Sequence, residues 1–98
     1  MLVKIHKSYR NVVAICDSDL LGKKFEQGNL QIDLSGSFFE GEEKTSEETL
    51  EIIQDLAIED STFNIVGEKS VRLALKAGII EEKGIKKIKD IPVALSLL

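Results

Sequence analysis

The sequence predicts an α+β fold, in which a small antiparallel or mixed sheet starting with an N-terminal hairpin carries two main helices, at about residues 46–59 and 68–77. Three observations predict it. Apolar and polar residues alternate near the start, a capping sequence precedes a helical apolar repeat in the middle, and a short apolar strand breaks at Gly67 into a second amphipathic helix. Because 98 residues suffice for one hydrophobic core, we expect a single domain over residues 1–98.

The predicted hairpin comes from two apolar segments around a polar turn. Residues 2–7 alternate between apolar and polar, residues 12–16 form an apolar run, and residues 8–11 lie between them. Asp17 or Ser18 then has the chemistry to cap a short helical turn over residues 19–25.

Two glycine-containing segments bound the next predicted strand. Gly28 ends the helical turn, and the alternation of residues 30–34 predicts a third strand. A loop with adjacent phenylalanines follows. We expect one of Phe38 and Phe39 to anchor this loop to the core and the other to be exposed.

The first main helix has the clearest local signal in the chain. Thr45 and Glu48 have the spacing of a capping box, which predicts a helix from Ser46 to about Glu59. Its apolar stripe faces the core, and its opposite side repeats an acid every four residues. The predicted solvent-facing acids are Glu47, Glu51, Asp55 and Glu59.

The second helix is predicted from near Gly67 to Ala77, with Gly78 as the residue that ends it. Beyond a turn at residues 82–84, the apolar positions of residues 85–91 predict an edge strand, and Pro92 suits an edge rather than the centre of a sheet.

Composition bounds the class of protein. No apolar run approaches the roughly 20 residues that span a bilayer, and the lone Cys16 has no disulfide partner within the chain, so we expect a cytoplasmic protein with no membrane partner. The net charge of −4 is unevenly distributed. Residues 40–60 carry nine acids and one lysine, whereas residues 61–98 carry seven bases and four acids. The charge pattern predicts a dipolar molecule.

The conventional catalytic side chains are few. A thiol enzyme would need Cys16 and His6. A two-residue hairpin loop would place Cys16 opposite Val3 in the core and His6 on the other face of the sheet. Another loop length would reverse this placement. We expect a buried, inert Cys16 and a surface His6. We therefore predict no catalytic residues, no metal site and no cofactor, and a chain that is not an enzyme.

The predicted binding site is the strand-to-helix junction. A helix start leaves backbone N–H groups free for an anion, and cations on one helical face add positive charge there. Glu68 separates the glycine from the lysine, so the junction does not match a nucleotide-binding loop. The alternative is that Gly67 serves only the turn. The candidate anion- or RNA-binding residues are Asn64, Gly67, Lys69, Arg72 and Lys76, with Lys86, Lys87 and Lys89 as an extension.

Taken together, residues 14–17 and 20–23, residues 64–68 and the proline near the end resemble a small archaeal family known as domain of unknown function 424. The likeness covers nearly the whole chain, and residues 64–68 with the helix after them are its most specific part. The resemblance implies one α/β domain in the archaeal cytosol, no established activity and a loose association with information processing. Many members carry a histidine soon after the terminal proline, where this chain has Val93 and Ala94.

The first functional hypothesis is a non-catalytic adaptor that contacts RNA or a ribosome-associated translation component. The alternative is a protein–protein interaction module, often a homodimer, that uses the edge strand at residues 85–91 with Phe38 and Phe39. A third, enzymatic interpretation requires an exposed Cys16 beside Asp17.

Overall fold

A computed structural model of the protein describes residues 1–97. The two helices in that range are α1 (Ser46–Ala57) and α2 (Glu68–Ala77). Its strands are β1 (Leu2–His6), β2 (Asn11–Cys16), β3 (Lys24–Gln27), β4 (Leu30–Asp33), β5 (Glu42–Glu43), β6 (Ser61–Val66), β7 (Lys86–Ile88) and β8 (Ile91–Leu97). Short 3-10 turns lie at Ser18–Leu20 and Glu82–Gly84.

The main sheet is mixed. Within residues 1–97 it has six strands in the order β5-β1-β2-β6-β8-β7, and β3 pairs with β4 in a separate two-stranded sheet. β2 and β6 are parallel, and the other neighbours in the main sheet are antiparallel. The predicted α+β fold with its N-terminal hairpin is confirmed.

Each face of the main sheet buries its own apolar cluster. On the helical face, α1 and α2 cover a cluster that includes Ile15, Ile53 and Phe63. On the opposite face, Leu34 and Phe39 belong to a second cluster that includes Cys16. Phe39 is only 4% exposed and Phe38 is 40% exposed, which confirms that one phenylalanine anchors this loop while the other is exposed.

The start of α1 is the predicted capping box. The Thr45 hydroxyl accepts a hydrogen bond from the Glu48 N–H, and a Glu48 carboxylate oxygen accepts one from the Thr45 N–H, at 3.1 and 2.9 Å. These two bonds satisfy donors that a helix start otherwise leaves free.

The helical turn predicted over residues 19–25 was wrong. The turn ends at Leu20, and Phe25 lies in β3, where it pairs with Ile32 of β4. Gly28 adopts a φ of 60° and, with Asn29, reverses the chain between the two strands. Cross-strand pairing stabilises the extended form, whereas a helix of so few residues lacks enough hydrogen bonds to offset its nucleation cost.

The single edge strand predicted over residues 85–91 was also wrong in its extent. Lys89 and Asp90 have φ values of 52° and 66°, and they form a tight turn that separates β7 from β8. β7 is at the sheet edge as predicted, but Pro92 lies in β8, between β6 and β7. The Pro92 carbonyl accepts a hydrogen bond from the Gly67 N–H. The Pro92 nitrogen therefore faces the end of β6, where the Gly67 carbonyl already accepts from Val71 of α2, so a proline here leaves no strand acceptor without a partner.

No helix within residues 1–97 is long and apolar enough to cross a membrane.

Candidate functional site

The junction between β6 and α2 is held by a carboxylate from another strand. Asp17 follows β2, whose carboxyl end lies beside that of β6 because the two strands are parallel. One Asp17 carboxylate oxygen accepts bonds from the Ser70 N–H and hydroxyl, both at 2.8 Å, and the other accepts one from the Lys69 N–H at 3.1 Å. Asp17 therefore caps α2 and stabilises the positive end of the helix dipole.

Gly67 makes room for this cap. Its φ is 110°, and a Cβ atom built there would lie 2.4 Å from the Asp17 Cγ. Its N–H donates to the Pro92 carbonyl at 2.9 Å. The backbone anion pocket expected at this helix start thus already holds the protein's own carboxylate, and Gly67 serves the turn and the cap.

The role of Asp17 as a cap is not visible in the sequence, because the contact depends on strand pairing. Asp17 and Lys69 are far apart in the chain, and the local pattern assigned Asp17 to the turn that follows it. The available signal was that two apolar strands each end in a polar or glycine residue, at Asp17 and Gly67. Parallel pairing brings such ends to one sheet edge.

Three candidate cations do lie together on α2. Lys69, Arg72 and Lys76 line a shallow pocket of about 270 Å³, which Ser46 and Leu73 complete. Within residues 1–97 the structure contains no ion pair that involves any of these three side chains. We call these three residues the basic face.

Asn64 lies away from the basic face. It pairs with Ala14 and Leu95, and side-chain alternation places it on the face of the sheet opposite α2. Neighbouring Ile65 packs in the cluster beneath the helices, whereas Val66 belongs to the opposite cluster. The structure therefore does not bring Asn64 to the same surface as Lys69, Arg72 and Lys76.

The lysines of the C-terminal segment are divided between the two faces. Lys86 pairs with Val93, whose side chain packs against the cluster opposite the helices. Lys87 pairs with Pro92 and points to the helical side by alternation. Lys87 therefore lies on the same side of the sheet as the basic face, and Lys86 does not.

The sheet edge around Asp17 is acidic. Two hollows flank this residue, and Lys69 lines both of them. Their acidic lining residues are Asp17, Asp19, Glu43, Glu68 and Asp90. Among residues 1–97, no three of the His, Cys, Asp and Glu side chains are placed to hold a metal ion together. Lys69 stands at the boundary between this acidic edge and the basic face.

Cys16 is buried, as expected from the sequence. Its side chain has no exposed area, and burial, with a smaller contribution from the Asp17 charge, raises the pKa of its thiol to about 11. The hairpin register pairs Cys16 with Leu2 and His6 with Val12, so the longer loop places Cys16 and His6 on one face of the sheet rather than opposite faces. They are four residues apart along that face, about 13 Å, which is too far for the histidine to act on the thiol.

Comparisons with known proteins identify relatives but no activity. The profile of the family described as "Protein of unknown function (DUF424)" matches residues 6–97. The fold is similar to that of a crystal structure described as "an uncharacterized conserved protein from Methanopyrus kandleri", with a TM-score of 0.86 and 22% sequence identity over 98% of this chain and 89% of that chain. No curated protein matches the sequence.

Proposed function

The chain belongs to the DUF424 family of proteins of unknown function, and we propose that it is a non-catalytic binding module whose basic face contacts the phosphates of RNA, either free or within a component of the translation machinery. The observation that carries this proposal is the set of three cations around one pocket on α2, none of which takes part in an ion pair within residues 1–97.

The spacing of the three cations supports a backbone contact. They lie within about 60° of one another around the helix axis and extend over about 10 Å along it. Lysine and arginine at such separations suit successive phosphates of one strand. Because Asp17 already occupies the backbone N–H groups of Lys69 and Ser70, binding here depends on side chains.

The acidic side of α1 restricts where RNA can lie. Glu47, Glu51 and Asp55 are exposed on α1, which packs on the same face of the sheet as α2. The acidic side of α1 repels phosphates and the basic face attracts them, so we expect the RNA strand to lie along α2. Phosphate contacts do not distinguish sequences, and we expect little preference between sequences of equal length.

The test compares two double variants with the same change of net charge. R72Q/K76Q removes two cations of the basic face, and K23Q/K24Q removes two exposed lysines elsewhere. Binding of a fluorescein-labelled single-stranded RNA is measured by anisotropy across salt concentrations. We expect R72Q/K76Q to bind more weakly and to reduce the salt slope by about 0.7 for each phosphate that it no longer neutralises, with K23Q/K24Q close to wild type. Equal effects of the two variants would contradict a located site.

A protein–protein module is the second candidate, and one observation favours it. Leu95 is 61% exposed and Phe38 is 40% exposed, on the side of the sheet that α1 and α2 leave free. The edge expected to serve this role at residues 85–91 is less open, since the Lys89 N–H donates to Gln27 of β3 at 2.7 Å. Sedimentation of the wild-type protein and of L95E, compared over a range of concentrations, decides whether this surface forms a homodimer.

A further inference from the structure

We propose that the free edge of β1 binds an extended peptide segment that carries acidic and apolar side chains alternately, so that the peptide adds a strand to the sheet beside β5. This interaction surface is separate from the basic face and goes beyond the RNA-binding role. The edge's hydrogen-bonding groups, the groove beside it and the charge around it carry the inference.

The backbone groups of Ile5 point outward from the sheet. Within a strand, successive residues direct their N–H and C=O groups to opposite edges. The Met1 carbonyl accepts from the Lys44 N–H at 2.8 Å, so Met1, Val3 and Ile5 direct these groups toward β5. On the other side of the hairpin, the Asp17 N–H donates to Val66 of β6, which leaves the even-numbered residues of β2 to bond β1 and agrees with this assignment.

β5 ends before it reaches Ile5. The β1–β5 register pairs Leu2 with Glu43 and Val3 with Glu42, and its continuation would bring Glu40 opposite Ile5, two positions further along. Instead the Glu40 N–H donates to the Ser37 carbonyl in a turn, and the chain leaves the edge. The N–H and C=O of Ile5 therefore face the position where a further strand residue belongs.

A groove of about 550 Å³ lies beside this part of β1, on the side of the sheet that α1 covers. Its floor is β1, one side is the segment before and within β5, and Ile52 of α1 forms part of the other side. The lining residues are Val3, Lys4, Ile5, Glu40, Gly41, Glu42, Lys44 and Ile52. Ile5 and Ile52 both pack against the cluster beneath the helices, so one side of an added strand meets an apolar surface.

The charges favour an acidic segment over a second copy of this edge. Lys44 is paired with Glu42 at 3.2 Å, whereas Lys4 and Lys7 take part in no ion pair within residues 1–97. Two copies joined through β1 would bring these lysines together, and lysine on an edge strand opposes such self-pairing. The segment that pairs with β1 is acidic, Glu42–Glu43, and the Glu43 carboxylate pairs with the amino group of Met1, at the start of β1, at 2.6 Å. Glu40 also lines the groove and would repel an acidic side chain, so we expect the acidic side chains of the peptide only at positions near Lys4.

The geometry also determines which amide groups of the added peptide form hydrogen bonds with β1. An antiparallel residue that exchanges hydrogen bonds with Ile5 projects its side chain to the same face as Ile5. In a peptide of alternating glutamate and valine, the valines therefore lie over Ile5 and Ile52, and their N–H groups bond to β1. The glutamates lie on the face of Lys4, and their N–H groups point away.

The experiment uses blocked glutamate–valine peptides of about six residues, roughly the length of a strand, titrated into ¹⁵N-labelled protein. Methylation of the valine nitrogens removes the bonds to β1 and is expected to weaken binding by about tenfold or more, whereas methylation of the glutamate nitrogens leaves affinity unchanged. The Ile5 amide exchanges rapidly in the free protein and becomes protected on binding.

A charge exchange tests the choice of partner. K4E is expected to reverse the preference, so that a lysine–valine peptide binds more tightly than the glutamate–valine peptide. Lys4 is exposed, so its replacement leaves the fold intact. Equal binding of both methylated peptides, no binding at millimolar concentration, or an Ile5 amide already protected in the free protein would overturn the proposal.

Discussion

Asp17 joins the two parallel strands to the second helix. It is 8% exposed, and its carboxylate accepts three hydrogen bonds from Lys69 and Ser70. Asp17→Ala leaves buried donors unsatisfied and is expected to lower the free energy of unfolding by about 3 kcal/mol. Ser70→Ala removes only one of the three bonds and is expected to cost about 1 kcal/mol. Urea unfolding measures both variants, and equal losses would show that the cap is not the reason.

Gly67 and Gly78 form a matched pair at the two ends of α2. Both have positive φ values, 110° and 78°, but a Cβ atom at Gly67 meets Asp17, whereas at Gly78 nothing lies within 4 Å. Gly78→Ala is expected to cost about 1 kcal/mol from backbone strain alone. Gly67→Ala adds displacement of the capping carboxylate and is expected to cost at least twice as much. Thermal and urea unfolding of the two variants give the comparison, which would fail if Gly78→Ala were the more harmful.

At the scale of elements, the capping box makes the stability of α1 depend on pH. Hydrogen bonds from the Thr45 N–H and side chain lower the pKa of Glu48 below its usual 4.5. A carboxylate with a lowered pKa in the folded state stabilises that state above pH 4.5, and this contribution is lost as the pH falls through and below that value.

Thr45→Ala tests this coupling. We expect it to cost about 1 kcal/mol near neutral pH, because the Glu48 N–H loses its acceptor. We also expect a smaller loss of stability than wild type shows as the pH falls from about 5 to about 3, because the variant keeps the Thr45 N–H bond to Glu48 but lacks the contribution of the Thr45 side chain to its lowered pKa. Urea midpoints at several pH values provide the measurement. Parallel pH curves for the two proteins would show that the Thr45 side chain has no part in the coupling.

The turn between β7 and β8 stores strain. Lys89 and Asp90 both adopt positive φ, and a two-residue turn of this kind normally carries asparagine and glycine. Replacement by Lys89→Asn and Asp90→Gly is expected to raise the free energy of unfolding by about 1 kcal/mol. The backbone bond from residue 89 to Gln27 is retained, since it uses only the N–H. An unchanged or lower urea midpoint would contradict the expectation.

Elements with local signals were predicted well. α1 begins at the expected capping box, and α2 ends at Gly78, because the residues that fix these ends are neighbours in the sequence. β3 and the β7–β8 turn were missed. The first lies in a segment too short for its pattern to distinguish strand from turn, and the second lacks the glycine that marks such turns.

The candidate site was only partly predictable for the same reason. Helical spacing alone placed Lys69, Arg72 and Lys76 on one surface. The position of Asn64 on the opposite face and the role of Asp17 as the cap both depend on which strands are neighbours. Strand order is a property of the assembled sheet, and no short stretch of sequence carries it.

For the molecule as a whole, the uneven charge along the chain places acidic and basic side chains on separate parts of the surface. The acids of α1 and the carboxylates around Asp17 border the basic face, so the proposed RNA contact is favoured along α2. The groove beside β1 lies against α1 and uses different residues. The two proposed partners, which differ in chemistry, would therefore use separate surfaces on a chain of 98 residues. The archaeal cytoplasm as their location and a single domain stay predictions.

The most direct test is the salt dependence with which the wild-type protein binds single-stranded RNA of mixed sequence. Three phosphate contacts from the basic face predict a slope of about −2 for the logarithm of the association constant against the logarithm of salt concentration, since each contact to a single strand contributes about −0.7. A slope near this value, unchanged between sequences of equal length, is the result we expect. A slope near zero, or no binding at low salt, would contradict the proposed function.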